Sequence, residues 1–551
     1  MGAGTLNSGR GKAVADGIAH KLGGVRVLAD AGIVRPVRPD RLVGVVKALR
    51  DWGRGPASGY ITSGLLCPED TAVIDDAGTL TFAEVDARTN RIANALAATG
   101  IRAGDGIGVM CRNHRGFVEA SVAAAKVGAD VLYLNTAFAG PQLAEVVERE
   151  GPVALIYDEE FAGLLDAAGP GLVRYVAWRD SDGDSSVASL DDLARDGDPQ
   201  RPSPPAQVGR AVILTSGTTG TPKGANRPMP RSLEPVIALL SKLPLRRGQR
   251  TVIAAPLFHT WGFAHFALGL ILNSTLVLPR RFDPEETLAT IARTRADSLV
   301  VVPVMMQRIL ELSEDVRRRY DVSSLSVVAA SGSALPGDLA TEWMDAFGDN
   351  LYNVYGSTEV AQATIATPAE MRAAPGTAGS PPLGTVVRLY DDGGQPVEQG
   401  QVGRIFVGNA FQFEGYTGGG TKEVIDGLMA TGDVGRFDAA GRLFVEGRDD
   451  EMIVSGGENV FPKEIEDLLA RHDEISEAAA VGVPDEEFGQ RLIAFAVLED
   501  GATVDADGLK EYVRENLARY KVPREIRFLD ELPRNATGKV LKRRLRELLD
   551  A

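Results

Sequence analysis

Val212-Ile-Leu-Thr-Ser-Gly-Thr-Thr-Gly-Thr-Pro-Lys-Gly224 is the stretch on which the reading of this 551-residue chain turns. An apolar run, with the residue pattern of a buried strand, passes directly into a loop of glycines, hydroxyls and one lysine. Glycines let a backbone approach phosphate oxygens closely, and amide and hydroxyl donors then stabilise the phosphate charge. The candidate contacts are Thr215, Ser216, Gly217, Thr218, Thr219 and Gly220, with Lys223 as a point charge. A Walker loop needs Gly-x4-Gly-Lys followed by Ser or Thr, whereas Pro222 precedes this lysine and Gly224 follows it, so a P-loop ATPase is excluded by spacing.

Outward from the loop, strand and helix signals alternate. Thr79–Leu96 carries a helical pattern closed by Gly100, and Phe117–Val127 separates the apolar runs Ile107–Met110 and Val131–Leu134. The alternation continues to about residue 330 and predicts an α/β architecture. Asp180–Pro205, rich in Asp, Ser, Gly and Pro, reads as a surface loop. Short strands at Val386–Tyr390, Gly403–Val407 and Arg442–Glu446 predict a small β-rich subdomain. From about residue 451 a fresh strand–helix alternation predicts a separate α+β domain. The expected division is a leader over 1–58, a large domain over 59–449 and a small mobile domain over 450–551.

Hydrophobic residues at 44% and charged residues at 24% are ordinary for a globular chain. The formal charge of −16 argues against general nucleic-acid binding. Cys67 and Cys111 stand in no metal or redox spacing, which suits a reducing, cytoplasmic setting. Neither a membrane-spanning apolar run nor a signal-peptide pattern is seen. Charge is uneven: residues 1–54 hold ten Lys/Arg against four Asp and no Glu, a balance of +6 that leaves −22 for the rest. Leu42, Val45, Val46, Leu49 and Trp52, set among Arg41, Lys47 and Arg50, predict a basic amphipathic helix. Such a helix packs on the main body, docks peripherally on an anionic membrane face, or stays disordered. No motif lies before residue 60, so the leader is expected to be dispensable for chemistry.

Five further segments carry chemistry: Pro256-Leu-Phe-His-Thr-Trp-Gly262, Ser331-Gly-Ser-Ala-Leu-Pro336, Asn353-Val-Tyr-Gly-Ser-Thr-Glu359, Thr431-Gly-Asp433 with Gly447-Arg448, and Leu532-Pro-Arg-Asn-Ala-Thr-Gly-Lys-Val540. With the 212–224 loop and in this order, they resemble the adenylate-forming superfamily, nearest to bacterial fatty acyl-CoA synthetases, over roughly residues 60–545. The resemblance implies ATP, Mg²⁺ and coenzyme A as cofactors and an acid–thiol ligase activity: a carboxylic acid becomes an acyl-adenylate and then a thioester.

By that resemblance His259 sits beside the acyl pocket, and Gly332, Ser333 and Ala334 pass between adenine and acyl group. Asn353, Val354, Tyr355 and Gly356 lie along the nucleotide, Thr358 contacts the α-phosphate, and Glu359 holds Mg²⁺. A carboxylate suits that hard cation. Asp433 would accept from both ribose hydroxyls, and Arg448 would donate to ribose or phosphate. Asp450 is the implied hinge, after which the Gly456-Gly457 loop would line the pantetheine tunnel. Lys539 is the implied catalytic lysine, a cation placed where charge develops during adenylation.

Two departures from the superfamily stand out. Ala225-Asn-Arg-Pro228 replaces a frequent Thr-His pair, and Thr417-Gly-Gly-Gly420 replaces a frequent Trp-Asn stretch. The segment after His259 has no acidic residue to pair an amino-acid substrate's amine, while Met305, Met306 and neighbouring valines suit a flexible apolar acid. A medium- or long-chain fatty acid is the first expectation. An aryl or polycyclic acid, or a fatty acyl-AMP ligase that delivers to a carrier protein, are the alternatives. The resemblance also leaves room for a homodimer.

Overall fold

The computed structural model describes residues 21–168, 171–180, 186–215, 223–226, 232–413, 415–416, 420–451, 453–455, 458–485, 489–535 and 538–549. Ser216, Gly217, Thr218, Thr219, Gly220, Gly456 and Gly457 lie outside them.

Two mostly parallel sheets form the body of the large domain. One has eight strands in the order Ala361–Ala366, Leu351–Ser357, Val327–Ala330, Ser298–Val301, Arg250–Ile253, Thr275–Val277, Thr71–Asp75 and Gly78–Thr81, with only the two edge pairings antiparallel. The other has seven, running from Gly415–Tyr416 through Lys223–Asn226, Ala211–Thr215, Asp130–Tyr133, Gly106–Met110 and Ala154–Asp158 to Val173–Trp178. Their strands read as near-continuous apolar runs because helices cover both faces. The helices Phe82–Ala98, Arg115–Val127 and Thr260–Leu272 contribute to one continuous core shared by both sheets, through residues such as Phe82, Phe117 and Phe266. The Phe82–Ala98 helix begins where Thr81 accepts from the Glu84 amide and Glu84 accepts in return from the Thr81 amide, a capping box.

The predicted β-rich subdomain is an antiparallel five-stranded sheet built on Val386–Tyr390, Gly403–Gly408, Leu428–Phe437 and Leu443–Arg448, with Val424–Ile425 at its edge. The small domain has its own five-stranded sheet and its own core around Ile465, Ala494 and Val513. The chain passes from one sheet to the other through a single 3₁₀ turn, Asp449–Glu451. Asp449 is held at 3.2 Å by Arg404 of the large domain, while Glu451 is held at 2.9 Å by Lys542 of the small one.

The surface-loop reading of Asp180–Pro205 misses a helix, Leu190–Asp196. Ser189 and Asp192 cap it reciprocally, with the Asp192 amide donating to Ser189 Oγ at 3.1 Å and the Ser189 amide to Asp192 Oδ2 at 2.9 Å. In the leader, the helices Pro39–Trp52 and Pro56–Leu66 pack on the main body: Ala48 and Trp52 bury against Ala57 and Ile61, and Arg41 donates to the Leu66 carbonyl at 2.9 Å. The second helix lies against Thr260–Leu272, where Gly59 leaves no room for a larger side chain over Leu270.

Cys111, which the sequence set in no metal spacing with Cys67, is buried together with His114 and Asp158. His114 Nε2 bonds Asp158 Oδ1 at 2.8 Å and Nδ1 accepts the Gly116 amide at 3.0 Å. Both ring nitrogens are thereby used, and the histidine acts as a helix cap.

Candidate active site

Four parallel strands of the eight-stranded sheet, Arg250–Ile253, Ser298–Val301, Val327–Ala330 and Leu351–Ser357, point their carboxyl ends the same way. Just beyond those ends lie His259, Ser331–Pro336 and Thr358–Glu359. Open α/β sheets place ligands there because strand ends leave a crevice that connecting loops can line. A cavity of about 1490 Å³ occupies the crevice, larger than the roughly 300–1,000 Å³ of an ordinary small-molecule site.

One side of the cavity is built first by Tyr355 and Asp433. The Tyr355 hydroxyl donates to Asp433 Oδ2 at 2.5 Å, and burial together with the Asp433 charge holds the phenol's pKa well above its ordinary value. The Asp433 amide donates to Thr431 Oγ1 at 3.0 Å, and Arg448 Nη1 stands 3.5 Å from Asp433 Oδ1. A carboxylate has about four acceptor sites, so such a side chain suits the paired hydroxyls of a vicinal diol. Gly356 sits at a register shift between Leu351–Ser357 and Ala361–Ala366, where a Cβ would stand 1.8 Å from the Ala361 carbonyl oxygen. Ser331 Oγ donates to the Val354 carbonyl at 2.7 Å and ties the Gly332–Ala334 loop to the Asn353–Gly356 strand.

The other side begins at His259, the N-cap of the Thr260–Leu272 helix. Burial pushes its pKa down to about 4, and the positive end of the helix dipole also disfavours protonation. It is therefore neutral at pH 7. Thr260 Oγ1 and Thr358 Oγ1 are 3.1 Å apart, joining this helix to the Glu359 loop. The next residue, Trp261, donates to the Val301 carbonyl at 3.1 Å and packs edge-on against His265, one turn on, at 4.5 Å between ring centres.

The small domain closes the same cavity. Lys539 lines it with Glu359, Thr358 and Asp433. A tight hairpin presents the lysine: its amide donates to Asn535 Oδ1 at 2.9 Å, and its carbonyl accepts the Asn535 amide at 2.9 Å. Gly538, with φ of +76°, lies against the large domain so closely that a Cβ would stand 2.4 Å from Val304 Cγ1.

Of the residues singled out in the sequence, His259, Gly332, Ser333, Ala334, Asn353, Val354, Tyr355, Gly356, Thr358, Glu359, Asp433, Arg448 and Lys539 share this cavity. Thr215 and Lys223 are placed by their backbones, on adjacent antiparallel strands, and Asp450 by its backbone in the 3₁₀ turn. Sequence reasoning missed Thr260, the Val304 seat and Lys542, which earn their places only through contacts distant in sequence. It also missed the leader: Val37, Leu42, Val45 and Leu49 line the cavity as well.

The chain matches known proteins over most of its length. The family described as AMP-binding enzyme matches residues 66–417, and the AMP-binding enzyme C-terminal domain matches residues 464–539. A feruloyl-CoA synthase of Amycolatopsis sp is 33% identical over 90% of this chain and 99% of its own length. An indoleacetate–CoA ligase of Aromatoleum aromaticum is 32% identical over 88% and 96%. Among solved structures, an anthranilate CoA ligase, AuaEII, in complex with anthranoyl-AMP superposes with a TM-score of 0.80 at 26% identity, covering 90% of this chain and 97% of that one.

Proposed function

The chain belongs to the AMP-binding enzyme family, and from that footing we propose that it activates an apolar carboxylic acid with ATP and transfers the acyl group to coenzyme A. In the first step the acid's carboxylate oxygen attacks the α-phosphorus, the bond to pyrophosphate breaks, and acyl-AMP forms. In the second the thiolate sulfur attacks the acyl carbon and AMP leaves. The observation that carries this reading is the sharing of one cavity by Lys539 of the small domain and by Asp433, Tyr355 and Glu359 of the large one.

Each group has a task its chemistry suits. Asp433, oriented by Tyr355 and Arg448, accepts from the ribose hydroxyls. Glu359 offers the hard oxygen that would hold Mg²⁺, which when bound supplies neutralising charge to the phosphates. Lys539 stabilises charge developing between carboxylate and α-phosphate. Neutral His259 borders the acyl carbon without adding a second cation. Rotation at Asp450, between the anchored Asp449 and Glu451, then exchanges Lys539 for the segment that holds Gly456 and Gly457.

The Thr260–Leu272 helix carries no acidic residue, which supports an acid without an amine. The first reading is a medium- or long-chain fatty acid. An aryl acid is the second, favoured by the ring acids in the names of the similar ligases. CoA-dependent AMP release, measured over a panel of fatty and aromatic acids, tests the proposal. Acid-dependent AMP and thioester in equal amounts are expected, and adenylate without thioester would exclude coenzyme A as acceptor.

A further inference from the structure

The cavity does not end at the acid side of the catalytic centre. It continues between the Thr260–Leu272 helix and the seven-stranded sheet, past Tyr133, Phe263, Ala267 and Ile271, and reaches the leader. There Leu42, Val45 and Leu49 meet it from the Pro39–Trp52 helix. Their spacing of three and four residues sets them on one stripe of the helix. Ala48 and Trp52, on the adjoining face, fasten that helix to Pro56–Leu66, while Val43 is 70% exposed on the outward side. The stripe is thus held against the cavity by packing, and its charged residues are turned elsewhere.

Leu42 and Leu49 line the cavity while remaining 49% and 41% exposed. They offer apolar surface on this wall that a long tail would cover.

We infer that the leader helix is the distal wall of the acid site, and that Val45 with Leu42 and Leu49 sets the enzyme's preference for long apolar acids, whose tails pass beneath it. This rests on the acid-activating function proposed above and adds to it the acid's extent. A short acid fills only the region near His259 and never meets the leader. A longer chain buries further methylenes, each worth about a fourfold gain in affinity.

The test is kcat/KM for CoA-dependent AMP release with hexanoate, decanoate and palmitate, in the full chain and in Val45→Trp, with outward-facing Val43→Trp as control. Val45→Trp is expected to lower the value for palmitate by about tenfold or more and to change that for hexanoate by less than about twofold, while Val43→Trp leaves the profile unaltered. An unchanged profile in Val45→Trp, or an equal loss for all three acids, overturns the inference. A second measurement stands on its own should the tryptophan variants fold poorly. In Val45→Cys, the thiol's alkylation rate is followed with palmitoyl- and hexanoyl-sulfamoyladenosine present; both native cysteines are buried. Protection of about tenfold by the long analogue alone is expected, and equal alkylation with both overturns the inference. A chain that activates only hexanoate or ring acids contradicts the inference and leaves the ligase function standing. A chain that releases AMP with no acid contradicts the function itself.

Discussion

The Tyr355 hydroxyl donates to Asp433 Oδ2 at 2.5 Å, joining two motifs that lie 78 residues apart in sequence. A place along the nucleotide, which the resemblance implies for Tyr355, is therefore only part of what the tyrosine can do: it also aims the carboxylate expected to take the ribose. Removing the hydroxyl in Tyr355→Phe leaves Asp433 less fixed, and hydrogen bonds to charged groups are worth about 1.5–3 kcal/mol. We expect the KM for ATP to rise about tenfold with kcat changed less, measured by pyrophosphate exchange at varied ATP. An unchanged KM would mean that Arg448 and Thr431 suffice to orient Asp433.

Lys542 Nζ lies 2.9 Å from Glu451 and 3.0 Å from Glu466. Burial works against its charge, but Glu466 and Glu451 outweigh burial and hold its pKa above the ordinary lysine value. A group so raised stabilises the fold fully below the unfolded lysine's pKa and loses that contribution as pH climbs through the folded one. Lys542→Met leaves two carboxylates facing each other without their cation. The three side chains retain some solvent, so the loss should be about 1–2 kcal/mol at pH 8, below the cost of breaking a fully buried pair. Denaturant unfolding measures it, and unchanged stability would show that solvent screens the triad.

His265 is buried against Trp261, and burial pushes its pKa down to about 3. With the folded pKa below the unfolded value near 6.5, the unfolded chain takes up the proton first. Stability therefore falls as pH drops below about 6.5 and stops falling near 3, with a slope of about 1.4 kcal/mol per pH unit from this group. His265→Phe should remove that share of the slope between pH 6 and pH 4. The same slope in both proteins would mean that His265 is protonated in the fold.

Gly538 seats the Lys539 hairpin on Val304, with room for no more than hydrogen at its Cα. Gly538→Ala must shift the hairpin, strain a positive φ, or both. Adenylation should drop by about ten- to a hundredfold, while thioester formation from supplied acyl-adenylate stays within about threefold. Equal losses in both steps would indicate a folding defect.

Much of this arrangement is legible in the chain because nucleotide chemistry is written in contiguous segments. Asn353–Glu359, Thr431–Asp433 and the segment ending at Lys539 each hold several interacting groups within a few residues, and the α/β alternation follows from apolar runs buried on both faces. What escapes the sequence depends on approach through space. Thr260 meets Thr358 only because the segments that follow two non-adjacent strands turn together over the same carboxyl edge of the sheet, and Val304 matters only as the seat of Gly538. The Leu190–Asp196 helix is short and polar, so its Asp- and Ser-rich composition reads as loop although Ser189 caps it. The leader's amphipathic helix was legible and packs as expected, but its stripe states only that a face is covered, and Leu42, Val45 and Leu49 line a cavity that only the folded chain creates.

We propose that one small domain serves two chemical steps, with Lys539 used in the first alone. Single-turnover kinetics of each step in Lys539→Ala tests it most directly, with Asp450→Pro as the mirror variant, since proline locks φ near −65° and removes the amide donor. In Lys539→Ala, adenylate formation should fall by about 10²–10³, the typical loss of one preorganised electrostatic donor, and thioester formation from supplied acyl-adenylate should survive. In Asp450→Pro, adenylate should form while thioester formation falls by orders of magnitude. Normal pyrophosphate exchange in Lys539→Ala, or an equal loss of both steps in either variant, would contradict the account.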